Sequence, residues 1–380
     1  MNILVTGVRA PMSLDVIRAL AQAGHQVWAS DALRFPIAKN SPYINAYLRT
    51  AAPRLDFISY AKNIIDICEQ CHIDMIIPTC EEVFWLAKIK SLPAFTQLQS
   101  VGLEQLLQLH HKAQFAELAN QLGCGAGAFF TVLSQAEIQQ KNHEINWVEY
   151  VAKPVYSRFS SQTLVSPSVK EISHITPSAQ QPWLLQKRII GREICLYCVA
   201  SEGVLLALIT YVPQFRTNQH GASLYFQPLE VDGAAALAAA FIKASHYTGQ
   251  ISFDVIISAQ GLVAIECNPR GTSGAHLLAQ HNQQYADALI GHVQHIKPSH
   301  INLKPMMLLL PLLMHYPTAL FKREQRDLLK QAKNVTREHQ VSFGNACLAM
   351  IEIIWIALKN RISLGQASTF DIEWNGELNE

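Results

Sequence analysis

Strand and helix patterns alternate through the first hundred residues, and this alternation constrains the fold more than any other feature. The segments NILVTG, HQVWASD and IDMIIPTC predict strands, and SLDVIRALAQAG and FISYAKNIIDICEQC predict the helices between them. Strands that alternate with helices form a parallel sheet with right-handed crossovers. Residues 1–100 are therefore predicted to form a Rossmann-like α/β lobe.

This lobe carries part of a dinucleotide fingerprint. Gly7 follows the first predicted strand and Asp31 follows the second. The complete fingerprint needs three glycines, whereas this loop continues as Val8-Arg9-Ala10-Pro11-Met12. Without the second glycine a pyrophosphate cannot come close to the backbone. We therefore expect a structural lobe, with a nicotinamide oxidoreductase as the least favoured alternative.

Two acidic residues, Glu81 and Glu82, follow the strand IDMIIPTC. Open α/β sheets bind ligands at the carboxyl ends of their strands, which makes Glu81 a candidate for contact with a substrate. An acidic residue at a helix N-terminus is also stabilised by the helix dipole without any function. Both interpretations of Glu81 stay open.

Composition limits the class of protein. The 380 residues suit two or three lobes, and 49% hydrophobic against 16% charged residues is typical of a globular chain. The net charge of +1, without a basic run, argues against nucleic acid or a membrane as the main partner. The apolar stretches 306–314 and 346–358 are interrupted by Pro311 and Glu352, and both are shorter than the ~20 residues of a membrane span. No signal peptide is recognisable, so the expected location is the cytoplasm.

The eight cysteines include two pairs with CxxC spacing, Cys68/Cys71 and Cys195/Cys198. A zinc site with four cysteines is one interpretation of such pairs. The pairs lie far apart in sequence, and neither lies in the glycine-rich knuckle of zinc ribbons. In an extended run, residues three apart face opposite sides, which separates Cys195 from Cys198. We expect these cysteines to be small buried apolar residues.

The segment IECNPRGTSG carries the strongest chemical signal. Just upstream, QISFDVIISAQGLVAI predicts two strands joined by a turn. Side chains alternate along a strand, so Glu266 and Asn268 share one face, and the antiparallel partner brings Asp254 alongside. Two carboxylates and a carboxamide suit Mg²⁺, which prefers hard oxygen ligands. Arg270 lies further along that face and is placed to meet a phosphate or a carboxylate.

Two further segments are suggestive but ambiguous alone. Lys153, at a strand end before a loop of serines and Arg158, could bind phosphate oxygens, or could be a solvated strand-end lysine. Lys112 is equally ambiguous. The segment LLQKRIIGREI could hydrogen-bond an adenine edge and place Glu193 at a ribose, or could be an exposed turn.

Together these segments resemble the ATP-grasp superfamily. The matching elements, in the family's order and at about its spacing, are Lys112, VAKPVYSRFSS, LLQKRIIGRE, FDVI and IECNPRGTSG. The similarity is greatest to the carbamoyl-phosphate-synthase-like and biotin-carboxylase-like branch, where Glu-x-Asn-Pro-Arg is the signature. It implies a Rossmann-like lobe at 1–100 followed by a two-lobed α+β ATP-grasp domain at 101–290. The central lobe would span about 125–185 and the C-terminal grasp lobe about 186–290, leaving 291–380 as an extension without an assigned role.

The resemblance also implies roles for individual residues. ATP would lie between the two lobes, in contact with Lys112, Lys153, Ser160, Gln186, Lys187, Arg188, Ile189 and Glu193. The metal would be Mg²⁺, with Mn²⁺ as an alternative, held by Asp254, Glu266 and Asn268. Arg270 would steady the transferred phosphoryl group. In the loop QFRTNQHGASLYFQ, which also has the composition of an ordinary solvent loop, Arg216 would face the acyl phosphate or the acid.

The implied reaction activates a carboxylate as an acyl phosphate, which an amine then attacks. The expected partners are a small carboxylic acid and an amine, with neither nucleic acid nor membrane, and a homodimer is left open. Bicarbonate activation, phosphoryl transfer without ligation, and a nucleotide-binding regulatory module without turnover are the alternatives. Two departures from the family pattern matter. The loop after Lys153 lacks its usual glycines, and Lys187 stands where an acidic residue is common.

Overall fold

The computed structural model describes residues 1–157, 162–217, 221–292 and 302–376. The first hundred residues form a five-stranded, wholly parallel sheet in the order β3-β2-β1-β4-β5. Its strands are β1 (Asn2–Thr6), β2 (Gln26–Asp31), β3 (Ala46–Arg49), β4 (Met75–Pro78) and β5 (Gln97–Leu98). Its helices are α1 (Ser13–Gln22), α2 (Phe57–Gln70) and α3 (Glu82–Lys88). The alternating pattern thus predicted the parallel sheet correctly.

Gly7 ends β1 in a conformation that requires glycine. Its φ is +65°, in the left-handed region that disfavours side chains. A Cβ here would also lie 2.5 Å or less from the carboxylate oxygens of Glu82. That carboxylate accepts hydrogen bonds from Thr6 Oγ1 at 2.8 Å and from the Thr79 N–H at 3.0 Å. Glu82 therefore joins the ends of β1 and β4, which is a structural role.

Two helices link this lobe to a small antiparallel sheet. The helices are α4 (Leu103–His110) and α5 (Lys112–Gln121). The sheet has the order β6-β9-β7-β8, with β6 (Phe129–Val132), β7 (Tyr150–Pro154), β8 (Leu164–Val165) and β9 (Trp183–Lys187). Helices α6 (Gln135–Lys141) and α7 (Val169–Ser173) belong to the same stretch of chain. A separate apolar cluster around Trp147 and Trp183 packs inside this lobe.

A seven-stranded sheet forms the largest layer, in the order β14-β13-β10-β11-β12-β15-β16. Its long strands are β10 (Gly191–Ser201), β11 (Val204–Arg216), β12 (Ser223–Pro228), β13 (Gly249–Ser258) and β14 (Gly261–Asn268). Helices α8 (Ala234–Ala244), α9 (Ala275–Leu278) and α10 (Asn282–Leu289) interleave with them. The hairpin of β13 and β14 is the one predicted from sequence.

The chain beyond residue 301 extends this sheet and then returns to the first lobe. Strand β15 (Met306–Met307) pairs with β12, and β16 (Lys333–Asn334) pairs with β15. The helices are α11 (Leu309–His315), α12 (Arg323–Gln331), α13 (Val335–Glu338), α14 (Phe343–Asn360) and α15 (Leu364–Ala367). The segment assigned no role from sequence thus completes one sheet and covers another.

Helix α14 departs from expectation, because it runs through Glu352. The Glu352 carboxylate accepts from the N–H groups of Arg34 and Phe35 at 2.8 and 2.7 Å, so its charge is satisfied beside the helix. Of the described helices only α14, with 18 residues and a mean hydropathy of 1.2, is long and apolar enough to cross a membrane. One of its 18 residues is buried, ten are half-buried and seven are exposed.

A buried histidine–aspartate network joins three parts of the chain. Asp15 on α1 accepts from His276 Nδ1 at 2.6 Å and from His339 Nε2 at 2.9 Å. All three side chains are almost completely buried. Burial acts to raise the pKa of Asp15, but the hydrogen bonds from the two histidines outweigh it and lower that pKa. The network connects the first lobe, the end of the large sheet and the C-terminal segment.

The C-terminal segment is further held to the first lobe by aromatic packing, which yields a stability prediction. Trp374 is 3% exposed, and its ring centroid lies 4.7 Å from that of Trp85. Trp374→Ala should destabilise the protein by about 3 kcal/mol in urea denaturation, because it leaves a cavity beside Trp85. Phe321→Ala, at an aromatic side chain that is 83% exposed, is the control and should have little effect. Equal stabilities would show that the segment is not docked there.

Candidate active site

The hairpin of β13 and β14 brings the predicted metal-binding residues together. Asp254 is paired directly with Glu266, and Ser252 with Asn268. The register shifts between Asp254 and Val255, and this bulge ends the regular pairing beside the carboxylates. The predicted juxtaposition of Asp254 and Glu266 is confirmed, and all three oxygen-bearing side chains line one cavity of about 610 Å³.

Two buried lysines approach this carboxylate pair. Lys112 Nζ lies 3.3 Å from Glu266 Oε1 and donates to the Ser157 carbonyl at 2.9 Å. Lys153 Nζ donates to the Ile265 carbonyl at 3.0 Å, one residue before Glu266. Both lysines are at most 5% exposed. Such burial is rare for a lysine without an anionic partner. It excludes the interpretation of Lys153 as a solvated strand-end lysine.

Lys112 reaches the site because a helix predicted as continuous is broken. The sequence LEQLLQLHHKAQFAELANQLG predicts one helical stretch that ends at Gly123, but His111 adopts an extended conformation between α4 and α5. The His111 side chain then accepts from the Gln114 N–H and caps the new helix. Lys112 becomes the first residue of α5 and is thereby directed at β14.

The charges in this cluster perturb one another. Burial, followed by repulsion from Glu266 and Glu193, raises the pKa of Asp254 to about 7. Burial also acts on Glu266, but Lys112 and Lys153 overcome it and lower the pKa of Glu266. Burial lowers the pKa of Lys153 to about 8, against the opposing effect of Glu266. Two facing carboxylates with one raised pKa form a site that a cation would stabilise.

The segment predicted to contact the adenine runs along the same cavity. We call its residues 186–189 the hinge segment. Gln186, Lys187, Arg188 and Ile189 all line it where β9 ends. The Gln186 side chain is buried, whereas Lys187 and Arg188 are exposed. Arg188 Nη1 donates to Ser166 Oγ at 2.8 Å, which fixes that guanidinium at the rim.

Arg216 and Glu193 also line the cavity, but they contact each other. Arg216 Nη2 lies 2.6 Å from Glu193 Oε1. A guanidinium expected at the acid and a carboxylate expected at the ribose thus form one ion pair in this structure. Either role requires that this pair opens.

Arg270 is held by two neighbours. Its Nε donates to Glu81 Oε1 at 2.8 Å and its Nη2 to Asn268 Oδ1 at 3.2 Å. Glu81 is 1% exposed and lies behind Arg270, whereas Arg270 itself lines the cavity. Glu81 therefore orients Arg270, a role that neither the substrate interpretation nor the helix-dipole interpretation predicted.

The loop after β14 lies so close to the first lobe that residue 271 has to be glycine. A Cβ at Gly271 would lie 2.7 Å from Met12 Cε and 3.0 Å from the Thr79 carbonyl oxygen. Met12 and Thr79 both line the cavity. The first lobe therefore provides one wall of the site, directly beside Arg270.

The sequence analysis missed an arginine that closes this wall. Arg9 binds Asp31 through Nη2 at 2.6 Å and also forms an ion pair with Asp371 in the C-terminal segment. Its neighbours Ser368 and Thr369 line the cavity with it. Because Asp31 is engaged by Arg9 and by the Leu33 N–H at 3.0 Å, it is not available to a ribose, which argues against the nicotinamide alternative. The sequence signal for the partner Asp371 is weak: it lies in FDIEWNGE (residues 370–377), a polar segment near the end of the chain.

The prediction that the paired cysteines are buried is correct for Cys68 and Cys198 but wrong for Cys71 and Cys195, which are half-buried. Cys195 lines the cavity, and its thiol donates to Asp254 Oδ1 at 3.2 Å. Glu193, Cys195 and Asp254 offer ligand atoms within 4.8 Å of one another. The register pairs Cys195 with Asp254, which places the thiol on the face of the carboxylates. Arg158, Ser160 and His220 lie outside the described residues.

Comparisons of known structures agree with this architecture. An L-amino acid ligase from Bacillus licheniformis is 14% identical, with a TM-score of 0.58 over 76% of this chain and 74% of that chain. An N5-carboxyaminoimidazole synthetase from Staphylococcus aureus is 14% identical, with a TM-score of 0.59 over 80% of each chain. The biotin carboxylase domain dimer of Hydrogenobacter thermophilus 2-oxoglutarate carboxylase, in complex with MgADP and bicarbonate, is 14% identical, with a TM-score of 0.59 over 80% and 73%. No family model and no curated protein sequence matches the chain.

These similarities confirm the fold predicted from the motifs. The chain has the ATP-grasp fold, in which a Rossmann-like lobe precedes a two-lobed α+β region. At such identities the fold is shared, whereas the reaction has to be argued from the site.

The raised pKa of Asp254 predicts a stability gain on its removal. Because the folded pKa of about 7 exceeds the ordinary value near 4, ionised Asp254 costs stability increasingly as pH rises through this range. Asp254→Asn should therefore raise the Tm of the metal-free protein by roughly 2–4 °C at pH 8, and by much less at pH 4.

Thermal melts in a chelating buffer measure this difference. Asp232→Asn, at an exposed position, is the control and should leave Tm unchanged at both pH values. A lower Tm for Asp254→Asn at pH 8 would mean that this carboxylate stabilises the fold rather than serving a ligand.

Proposed function

We propose that the chain is an ATP-dependent ligase, which activates a small carboxylic acid as an acyl phosphate and joins it to an amine. The observation that carries this proposal is the convergence of Lys153, Asp254, Glu266 and Asn268 on one cavity, with Lys112 placed 3.3 Å from Glu266. Cations for phosphate oxygens and oxygen ligands for a divalent metal are the two requirements of a phosphoryl-transfer site. The cited similarity to an L-amino acid ligase supports the ligase class.

The residues present fit Mg²⁺, with Mn²⁺ as an alternative. Asp254, Glu266 and Asn268 would hold the metal, since hard oxygen donors of this kind suit Mg²⁺ shared with substrate phosphates. Burial and the facing carboxylate of Glu266 raise the pKa of Asp254, and a bound cation would relieve both effects. When bound, the metal neutralises charge that develops on the phosphates.

The nucleotide would extend from the hinge segment to the carboxylate pair. Backbone groups of residues 186–189 would meet the adenine edge, and the apolar cavity residues Val151, Val165, Ile256 and Ile265 would cover the ring faces. Lys112 and Lys153 would bind phosphate oxygens. Glu193 would accept from the ribose hydroxyls once Arg216 is released to the acid.

Arg270 supplies the planar donor group for the phosphoryl group in transit. Held by Glu81 and Asn268, its guanidinium is oriented before any substrate binds, so little reorganisation is needed during the reaction. An oxygen of the acid attacks the γ-phosphorus and ADP leaves. The amine then attacks the carbonyl carbon of the acyl phosphate and inorganic phosphate leaves. Positioning and charge stabilisation suffice, without a nucleophilic side chain.

The proposal predicts where an isotope label goes. With ATP, Mg²⁺, a pool of amines and ¹⁸O-labelled carboxylic acids, one ¹⁸O per turnover should appear in inorganic phosphate. Arg270→Lys should lower kcat roughly a hundredfold while ATP affinity stays near wild type, because lysine keeps the charge but loses the planar fork. Mass spectrometry of the phosphate and a nucleotide titration measure the two effects.

Arg192→Lys provides the control, since Arg192 lies on β10, is exposed and does not line the cavity. That variant should keep both kcat and ATP affinity. Release of AMP, or unlabelled phosphate accompanying product formation, would contradict the acyl-phosphate mechanism.

A further inference from the structure

Helix α14 is apolar almost all round, yet the fold covers it only in part: ten of its 18 residues are half-buried and seven are exposed. Ala357 is its one buried residue among the 18 from Phe343 to Asn360. A soluble helix of this composition is normally covered by its own protein or by a partner. We therefore expect a binding partner to cover its exposed apolar surface.

The helix is fixed in orientation by its polar side chains and by both ends. Glu352 binds the N–H groups of Arg34 and Phe35, and Asn345 Oδ1 accepts from Asn40 Nδ2 at 2.8 Å. Val341 packs against the core before the helix, and Ala367 is buried after it. Since both ends are tied to the body, α14 lies along the surface and cannot cross a membrane or rotate its outer face inward.

The outward face carries a regular apolar seam, which we call the α14 stripe. It consists of Leu348, Ile351, Trp355 and Leu358, at successive spacings of three, four and three residues. These side chains are between 43% and 74% exposed. The spacing is that of the a and d positions of a coiled coil, which favour a partner helix.

We propose that the α14 stripe is a homodimer interface, in which the same helix of a second copy packs antiparallel across a twofold axis. An apolar seam without a charged residue is complementary to itself, as an isologous contact requires. The stripe offers on the order of 400 Å² of apolar surface per copy. That is about half of the ~800 Å² that each partner buries in a standard interface, and the residues that flank the stripe would provide the rest.

The charges around the stripe favour a protein partner over a lipid surface. Binding of an anionic membrane usually needs a cluster of about 4–8 basic residues beside the apolar face. Within α14 the one basic residue is Lys359, and its Nζ lies over the Trp355 ring, 5.0 Å from the centroid. This cation therefore contacts the Trp355 ring, and one lysine is too few to form a basic cluster for lipid headgroups.

Mass measurement of the full chain in solution tests the proposal. Sedimentation equilibrium or light scattering should give twice the chain mass at micromolar concentration. Ile351→Glu should reduce this to the single-chain mass, because the twofold axis brings the new charges of both copies into one apolar seam. Circular dichroism and nucleotide binding should stay unchanged, since Ile351 faces away from the cavity.

Ile58→Glu is the control, because Ile58 is 82% exposed on α2 and should leave the dimer intact. Should Ile351→Glu fail to fold, Leu348→Gln combined with Leu358→Gln replaces it, with the same expected loss of mass. A single-chain mass for the wild type, or a dimer that survives these substitutions, would overturn the proposal. Sedimentation of monomeric wild type with anionic vesicles would also overturn it, and would identify a membrane as the occupant.

Discussion

The contact between Lys112 and Glu266, 3.3 Å apart inside the protein, is the interaction on which the site depends. Buried charges are expensive, and each needs a partner from another element. Lys112 is the first residue of α5, and Lys153 lies on β7 of the four-stranded sheet. Glu266 and Asp254 lie on the hairpin of β13 and β14. The charges compensate only when all three elements are assembled. The fold and the site therefore form together, and the raised pKa of Asp254 marks the charge left uncompensated.

A second set of ion pairs joins this centre to the first lobe. Glu81 orients Arg270 from the end of β4, and Arg9 links Asp31 to Asp371 in the C-terminal segment. Gly271 allows the signature loop to lie against Met12. The Rossmann-like lobe thus forms one wall of the cavity, and the C-terminal segment completes that wall.

The sequence pattern predicted the structure correctly where that structure depends on residues close together in the chain. The alternation of residues 1–100 predicted the parallel sheet, and strand periodicity placed Asp254 opposite Glu266. The sequence pattern did not predict contacts between residues that lie far apart in the chain. Nothing near Arg9 indicates a partner more than 350 positions away, and the helical pattern around His111 conceals a break that tertiary packing imposes. The pairing of Arg216 with Glu193, and the thiol of Cys195 beside Asp254, likewise required the sheet register. The roles of the site residues stay predictions.

The proposed role of Asp254, Glu266 and Asn268 is to bind a divalent metal together with the nucleotide phosphates. Electron paramagnetic resonance with Mn²⁺ tests this role directly, because free and protein-bound Mn²⁺ give different signals. We expect weak binding of Mn²⁺ alone, strong binding when ATP is added, and loss of the ATP-dependent part in Glu266→Gln. Mn²⁺ binding that ATP does not change, or that Glu266→Gln retains in full, would contradict it.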